Sequence, residues 1–175
     1  MTVPYPRPAP ATTSGSGQDG QMPKTATTDT VSRDELLAFL RPRHHVLLLT
    51  HRADGTPQMS PVSAGVDGQG RVVIATYPQR AKARNARRDP RVSLVALSDD
   101  WDGPWVQVDG TAEVLDVPDA LEAFVDYFRS ISGEHPDWEE YRSAMVRQGK
   151  SLLRVTIERW GPVATGGFPP ELARG

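Results

Sequence analysis

The chain has 175 residues, of which 38% are hydrophobic and 24% are charged, and this suits one globular domain with a substantial core. The formal net charge is only -2, which gives no electrostatic case for binding nucleic acid or an anionic membrane. The sequence contains no cysteine, which excludes disulfides, thiolate metal sites and cysteine nucleophiles. Its longest apolar run, residues 46–49, is far shorter than the roughly 20 residues that span a bilayer. We therefore expect a cytoplasmic protein whose binding sites are local.

The two ends of the chain differ in composition from its middle. The first 29 residues are rich in Pro, Thr, Ser and Gly, and such a segment cannot bury enough surface to offset the entropy of ordering. We predict a disordered tail over residues 1–29, one domain over residues 30–168 and a short tail over residues 169–175. The Ser-Arg-Asp-Glu run at residues 32–35 has the pattern of a capping box and predicts the start of a short helix.

Six segments have the alternation or the β-branched composition of strands. They are residues 44–51, 57–66, 71–77, 92–97, 105–115 and 152–160. Three further helices are predicted: one from Pro78 to Asp89-Pro90, one over residues 118–131 capped by Asp116-Val117-Pro118, and one over residues 136–147. Short turns between strands favour a mainly β or α+β fold, a six-stranded antiparallel barrel with flanking helices, over alternating βαβ units.

A local excess of positive charge lies in the first of these three helices. Residues 80–91 contain six basic side chains and a single acid. Free backbone N–H groups at a helix start favour an anion, and Arg and Lys add charge-assisted donors for phosphate. The competing interpretation is a solvated helix face, since charge runs are usually surface. We predict a phosphate clamp of Arg80, Lys82 and Asn85, with Arg84 secondary, and assign Arg87 and Arg88 to the surface or to pairs between subunits.

A second candidate feature is the strand that contains Pro61. Gln58, Ser60 and Val62 share one face of this strand. A proline inside a strand indicates an edge or a bulge, which frees backbone groups for a ligand. On spacing alone, however, an ordinary hairpin strand is the favoured interpretation, because exposed Gln and Ser are common.

Several other kinds of site have no support in the sequence. The glycines at residues 65–70 have the wrong spacing for a dinucleotide fingerprint and do not precede a helix. The four histidines make no metal-ligand spacing, so no metal site is predicted. A Gly-x-Ser-x-Gly elbow and a Ser-His-acid set are also missing. If the protein is an enzyme, we expect a bound cofactor to supply the chemistry and no side chain to act as a catalytic nucleophile.

Taken together, the strand at residues 54–62 and the basic helix at residues 80–92 resemble those of the pyridoxamine 5'-phosphate oxidase-like split-barrel superfamily. Within it, the chain is most similar to the actinobacterial deazaflavin-dependent oxidoreductases, and the segment 132–146 shares this similarity. The resemblance implies an FMN-binding split-barrel fold and a homodimer with two cofactor sites at its interface. It implies that the cofactor is coenzyme F420 or, in other branches, FMN.

The resemblance also implies roles for individual residues. The strand that lines the cofactor corresponds to Gln58, Ser60, Pro61 and Val62. The group around the phosphate corresponds to Thr76, Arg80, Lys82 and Asn85. Trp105 occupies a position from which such proteins reach a cofactor.

The activity that this resemblance implies is hydride transfer between the reduced deazaflavin and an electron-poor double bond of a small organic substrate. The nearest alternative is an FMN-binding flavoprotein of the oxidase type, because the phosphate clamp serves both cofactors. A non-catalytic flavin- or haem-binding carrier is a third interpretation. Nucleic-acid binding through the basic helix is a fourth, weakened by the net charge and by the lack of interleaved aromatic residues. The sequence does not identify the substrate.

Overall fold

The computed structural model describes residues 25–172, which form eight strands and four helices. The strands are β1 (Thr28–Asp29), β2 (His45–His51), β3 (Pro57–Val66), β4 (Val72–Thr76), β5 (Arg91–Ala96), β6 (Val106–Asp116), β7 (Ser151–Trp160) and β8 (Val163–Ala164). The helices are α1 (Arg33–Leu40), α2 (Ala81–Arg88), α3 (Leu121–Ser132) and α4 (Trp138–Arg147).

Strands β2 to β7 close into an antiparallel barrel in the order β2-β3-β4-β7-β6-β5. Their alternation turns one set of side chains inward, so that Leu48, Ile74 and Leu153 lie fully buried in the barrel. The four helices pack on the outside and at the ends. The predicted fold, an antiparallel six-stranded barrel with flanking helices in the α+β class, is therefore confirmed.

Helices α1 and α2 close the two ends of the barrel. The side chain of Ser32 accepts from the Glu35 N–H, and the Glu35 carboxylate accepts from the Ser32 N–H, so the predicted capping box starts α1. The bonds that the Glu35 carboxylate accepts from the Ser32 N–H and hydroxyl lower the pKa of Glu35. Leu36 and Leu40 of α1 join the barrel core near the β3–β4 turn, and Ala83 of α2 joins it at the opposite end.

Helices α3 and α4 cover the outer face of β4 and β7. A second buried cluster contains Val73 and Leu152 from the strands together with Phe124 and Tyr141 from the helices. The Tyr141 hydroxyl donates to the Phe124 carbonyl, 3.1 Å away, and burial raises the pKa of Tyr141 to about 12. Gly65 allows α3 to approach β3, because a Cβ at this position would lie 1.9 Å from the Ser130 hydroxyl.

The structure differs from the prediction at the boundary of the N-terminal tail. Residues 28 and 29 fall within the predicted tail, but Thr28 pairs with Ala164 and Asp29 with Val163. Backbone hydrogen bonding to β8, which composition cannot show, draws this segment onto the domain. Residues 25–27 of the predicted tail are also described, and the Ala26 N–H donates to the Phe168 carbonyl at 2.8 Å. Residues 1–24 and residues 173–175 lie outside the described residues. Among residues 25–172, no helix is both long and apolar enough to span a membrane.

Two predicted helix starts are also too early. Arg80 N–H donates to the Tyr77 carbonyl at 3.0 Å, so Pro78 occupies the second position of a β-turn rather than the first turn of α2. Likewise α3 begins at Leu121 after Ala120, and Asp116 ends β6 instead of capping the helix. In both cases the residues that were expected to start the helix lie instead in the turn that follows the strand.

Candidate functional site

An opening between β3 and β4 is the first element of the site. β4 pairs with β3 only from Ala64 to Val66, so residues 57–63 of β3 have a strand neighbour only on the β2 side. Since Ala64 N–H donates to the His44 carbonyl at 3.0 Å, the alternation of an antiparallel pair points the backbone groups of Met59 and Pro61 into the opening. The prediction that Pro61 marks an edge is confirmed, although the Met59 carbonyl beside it accepts from Gln58 Nε2.

Helix α2 sits at the same end of the barrel. Ala83 and Ala86 are buried against the barrel, and their small side chains bring the helix close to the strands. Arg80 is the N-cap residue and makes no side-chain capping bond. The backbone N–H groups of Ala81 and Lys82 have no acceptor among residues 25–172. The helix start therefore presents free donors to solvent.

Three basic side chains surround this helix start. Within the described part of the chain, no carboxylate lies within ion-pair distance of Arg80, Lys82 or Arg84. Lys82 is half-buried, and desolvation followed by the charge of Arg80 lowers its pKa. Concentrated positive charge next to free N–H groups is an arrangement that binds a phosphate or another anion.

A chain of hydrogen bonds links α2 to the open strand. Asn85, which is buried, donates through Nδ2 to the Thr50 hydroxyl at 3.0 Å. Thr50 donates to Gln58 Oε1 at 3.1 Å, and Gln58 Nε2 donates to the Ser60 hydroxyl at 2.7 Å. Three predicted site residues, Gln58, Ser60 and Asn85, are thus brought together through Thr50.

Arg87 and Arg88 are both exposed, as predicted, and each also contacts groups of the same chain. Arg87 forms a bidentate pair with Asp116 of the same chain, with distances of 2.6 and 2.7 Å. Arg88 is exposed, but its guanidinium donates to Asn85 Oδ1 at 3.1 Å and to the His51 carbonyl. Arg88 therefore belongs to the same polar network as Asn85.

The remaining predicted residues lie at different places. Thr76 is buried at the end of β4, where it pairs with Ser151, on the side of the opening across from β3. Pro61 and Val62 help to line a surface groove of about 350 Å³ together with His45 and Leu47.

Trp105 is not brought to this group within one chain. It precedes Val106, which pairs with Ala96, and Ala96 pairs with Val46. Thr50 is four residues further along β2, so the backbones of Trp105 and Thr50 are at least about 13 Å apart along the strand direction at a strand rise of about 3.3 Å per residue. Trp105 lines a separate groove of about 330 Å³ with Trp160 and Arg159.

Thr50 is the residue that sequence reasoning missed. It is fully buried at an inward-facing position of β2, between Leu48 and the end of the strand. The signal in the sequence was a polar residue at a position where the alternation Val46, Leu48 calls for an apolar one. That signal shows a buried hydroxyl, but it does not show which partners the hydroxyl has.

The family model for pyridoxamine 5'-phosphate oxidase matches residues 32–164, which include the whole barrel and the candidate site. The chain belongs to this family. Among curated proteins, it is 29% identical over 133 residues to the F420H(2)-dependent biliverdin reductase of Mycobacterium tuberculosis (strain CDC 1551 / Oshkosh), and the match covers 75% of this chain and 88% of that protein.

Solved structures of the same fold agree with this membership. The conserved hypothetical protein Rv2991 from Mycobacterium tuberculosis superposes with a TM-score of 0.65 at 26% identity, covering 80% of this chain and 89% of that one. An F420 reductase superposes with a TM-score of 0.53 at 22% identity, covering 71% and 94%. Haem-binding proteins are also found among solved structures of this fold.

Proposed function

We propose that this protein is an F420-dependent oxidoreductase that transfers a hydride between the deazaflavin and an electron-poor double bond of a small organic substrate. The observation that carries the proposal is the clustering, at one end of the barrel, of uncompensated positive charge and an open polar strand. The charge fits a phosphate, and the strand fits a flat polar ring. Similarity to an F420H(2)-dependent reductase favours the deazaflavin over FMN.

The phosphate half of the site consists of Arg80, Lys82 and the first backbone N–H groups of α2, with Arg84 beside them. Desolvation and then the charge of Arg80 lower the pKa of Lys82, and a bound phosphate would oppose both, since an opposite charge favours the protonated amine. Arg supplies a forked pair of donors, and Lys supplies a point charge. The N–H of Lys82, free of any acceptor among residues 25–172, adds a donor along the helix axis.

The ring half of the site consists of Gln58, Ser60, Pro61 and Val62 on β3, with Thr76 across the opening. When bound, a deazaflavin supplies hydride transfer without one-electron chemistry. The protein side chains orient the ring, exclude water from it and hold the substrate against it.

The protein is proposed to act as a homodimer. The outer face of β2 and β3 carries the exposed side chain of Met59, which is 57% accessible, and the half-buried side chains of Leu47 and Leu49. Leu47, Leu49 and Met59 belong to neither buried hydrophobic cluster of residues 25–172, and this face borders the opening beside β3. A partner seated here would bury these apolar side chains and could bring its own Trp105 toward the cofactor.

The experiment that tests the proposed function is titration of the purified protein with F420, FMN and haem in separate samples, followed by fluorescence or absorbance. We expect saturable F420 binding that is at least tenfold tighter than FMN binding. Tight FMN binding without a response to F420 would replace the proposal with the flavoprotein alternative. Haem binding alone would replace it with a carrier.

The clamp is tested by replacing Arg80 and Lys82 with Ala, one at a time. Each substitution should weaken F420 binding by about 1.5–3 kcal/mol, the usual contribution of a charge-assisted hydrogen bond. Arg147→Ala on α4 is the matched control, because it removes one arginine that pairs with Glu140 away from the site. If the Arg80 and Lys82 variants bind F420 as tightly as the wild-type protein and the control, the clamp assignment is wrong.

A further inference from the structure

The hydrogen-bond network between α2 and β3 has a direction that both of its ends fix. At one end, Arg88 can only donate, so the atom of Asn85 that faces it must be the oxygen. At the other end, the Met59 carbonyl can only accept, so the atom of Gln58 that lies 2.7 Å from it must be the nitrogen. Both amide orientations follow because a guanidinium can only donate and a carbonyl can only accept.

The links between the two ends then have only one arrangement. Asn85 turns its nitrogen toward Thr50, so the Thr50 oxygen accepts there and its hydrogen goes to Gln58 Oε1, the nearer of two acceptors on Gln58. Gln58 uses one amide hydrogen for the Met59 carbonyl and the other for the Ser60 oxygen. Every member of the network therefore donates in the direction from α2 to β3.

Ser60 is the last member, and its hydroxyl hydrogen has no use inside the network. Its oxygen accepts from Gln58, and among residues 25–172 no acceptor takes its hydrogen. Ser60 is also partly accessible on the strand beside the opening, whereas Thr50 is fully buried. Gln58 occupies only one lone pair of the Ser60 oxygen, so the hydroxyl keeps its hydrogen available for a ligand acceptor beside the opening.

We propose that Thr50 and Arg88 are positioning residues that hold Gln58 and Ser60 in place, so that the Ser60 hydroxyl can donate to an acceptor atom of the bound cofactor ring. This inference rests on the proposed function. The acceptor is a carbonyl oxygen or an unprotonated ring nitrogen, which deazaflavins and flavins both carry. Arg88 acts through Asn85. Thr50 connects Asn85 on the helix to Gln58 on the strand by accepting from the first and donating to the second.

A turned Asn85 amide shows what Arg88 prevents. Without Arg88, the Asn85 amide can turn over and accept the Thr50 hydrogen, which leaves Gln58 Oε1 without its donor. Gln58 cannot turn in response, because its oxygen would then face the Met59 carbonyl. Gln58 and, through it, Ser60 would then be held less firmly beside the opening.

The inference is tested by a double-mutant cycle in cofactor affinity with Thr50→Val and Ser60→Ala. Each single substitution should weaken F420 binding by about tenfold, in the range expected for one hydrogen bond. The double variant should bind within about threefold of Ser60→Ala alone, because Thr50 acts through Ser60. Thr50→Ser, which keeps the hydroxyl, should bind like the wild-type protein. Independent losses that multiply to about a hundredfold would overturn the positioning role.

A spectroscopic measurement distinguishes positioning from simple loss of stability. A donor to the ring shifts the visible absorption band of the bound cofactor, so Thr50→Val, Arg88→Ala and Ser60→Ala should all move the band in the same direction. Thr50→Ser should leave it in place. If Thr50→Val lowers the melting temperature but leaves the band of the bound cofactor unchanged, Thr50 is structural only and the inference is wrong.

A measurement on the free protein keeps this test separate from the proposed function. NMR cross-peaks are expected between the Asn85 side-chain amide hydrogens and the Thr50 methyl group, and between those of Gln58 and Ser60 Hβ. Cross-peaks from the Asn85 amide hydrogens to Arg88 instead would show that the Asn85 amide is turned over. If the wild-type protein shows the expected cross-peaks but binds none of the cofactors, the proposed function fails, and the role toward the ring fails with it. If the protein binds F420 and the cycle is additive, only the positioning role fails.

Discussion

The two helical regions of this protein handle charge in opposite ways. On α3 and α4, each arginine has a carboxylate partner: Arg129 pairs with Glu134, Arg142 with Glu122 and Arg147 with Glu140. Around the start of α2, by contrast, the basic side chains of Arg80, Lys82 and Arg84 have no carboxylate partner within residues 25–172.

The buried residues of the two regions differ as well. Helices α3 and α4 bury Phe124 and Tyr141 over the outer face of the barrel, and the rings of Phe128, His135, Trp138 and Tyr141 lie 5.1–5.8 Å apart. Helix α2 buries small alanines and a polar Asn85. The α3–α4 region is thus organised for stability, whereas the α2 region carries unsatisfied donors and charge that a ligand would satisfy.

The largest expected effect concerns the α3–α4 region. Phe124→Ala should lower the free energy of unfolding by about 3–5 kcal/mol, because it removes a fully buried ring and leaves a cavity. Chemical denaturation of the ligand-free protein measures this change. Arg80→Ala, at an exposed position of the α2 region, should change the same quantity by less than about 0.5 kcal/mol. Similar losses for the two variants would contradict the division between the regions.

An intermediate effect concerns Lys82, for which stability and binding should change in opposite directions. Lys82→Met removes a half-buried charge next to Arg80, so the ligand-free protein should be unchanged or more stable by up to about 1 kcal/mol. Its F420 affinity should fall by about 1.5–3 kcal/mol. Paired denaturation and binding measurements check both signs, and a variant that loses stability and keeps its affinity would show that Lys82 is structural.

The pH dependence of the free energy of unfolding gives a second test of the half-buried charge of Lys82. Its pKa is lower in the folded protein than the usual 10.5, so the unfolded chain binds more protons as pH rises through the interval between the two values. In that interval the wild-type protein should gain stability with rising pH relative to Lys82→Met. Subtracting the two stability curves removes the contribution of Tyr127 and Tyr141, whose pKa values are raised and whose effect has the opposite sign.

The smallest expected effect is that of the paired arginines. Arg142→Ala removes the exposed pair with Glu122 and should lower the free energy of unfolding only slightly, with no change in cofactor affinity. Its stability loss should shrink at 1 M salt, where exposed charges are screened. A loss of affinity in this variant would show that the two regions are coupled.

The sequence determined the secondary structure and the fold class. Period-two alternation predicted all six barrel strands to within one or two residues, and the Ser32–Glu35 capping box predicted the start of α1. These features depend on neighbours along the chain, which a sequence displays directly. The run from Arg80 to Asn85 was visible for the same reason, as a local excess of charge near a helix start.

Only the tertiary structure decided how the site is connected. Asn85 and Thr50 are 35 positions apart, and they meet because the barrel register brings the end of β2 under α2. The opening beside Pro61 depends on where β4 stops pairing with β3. The role of Arg88 depends on the orientation of the Asn85 side-chain amide, which does not itself face the opening. Strand register and helix docking result from the sum of many long-range contacts, so no local pattern in the sequence contains them.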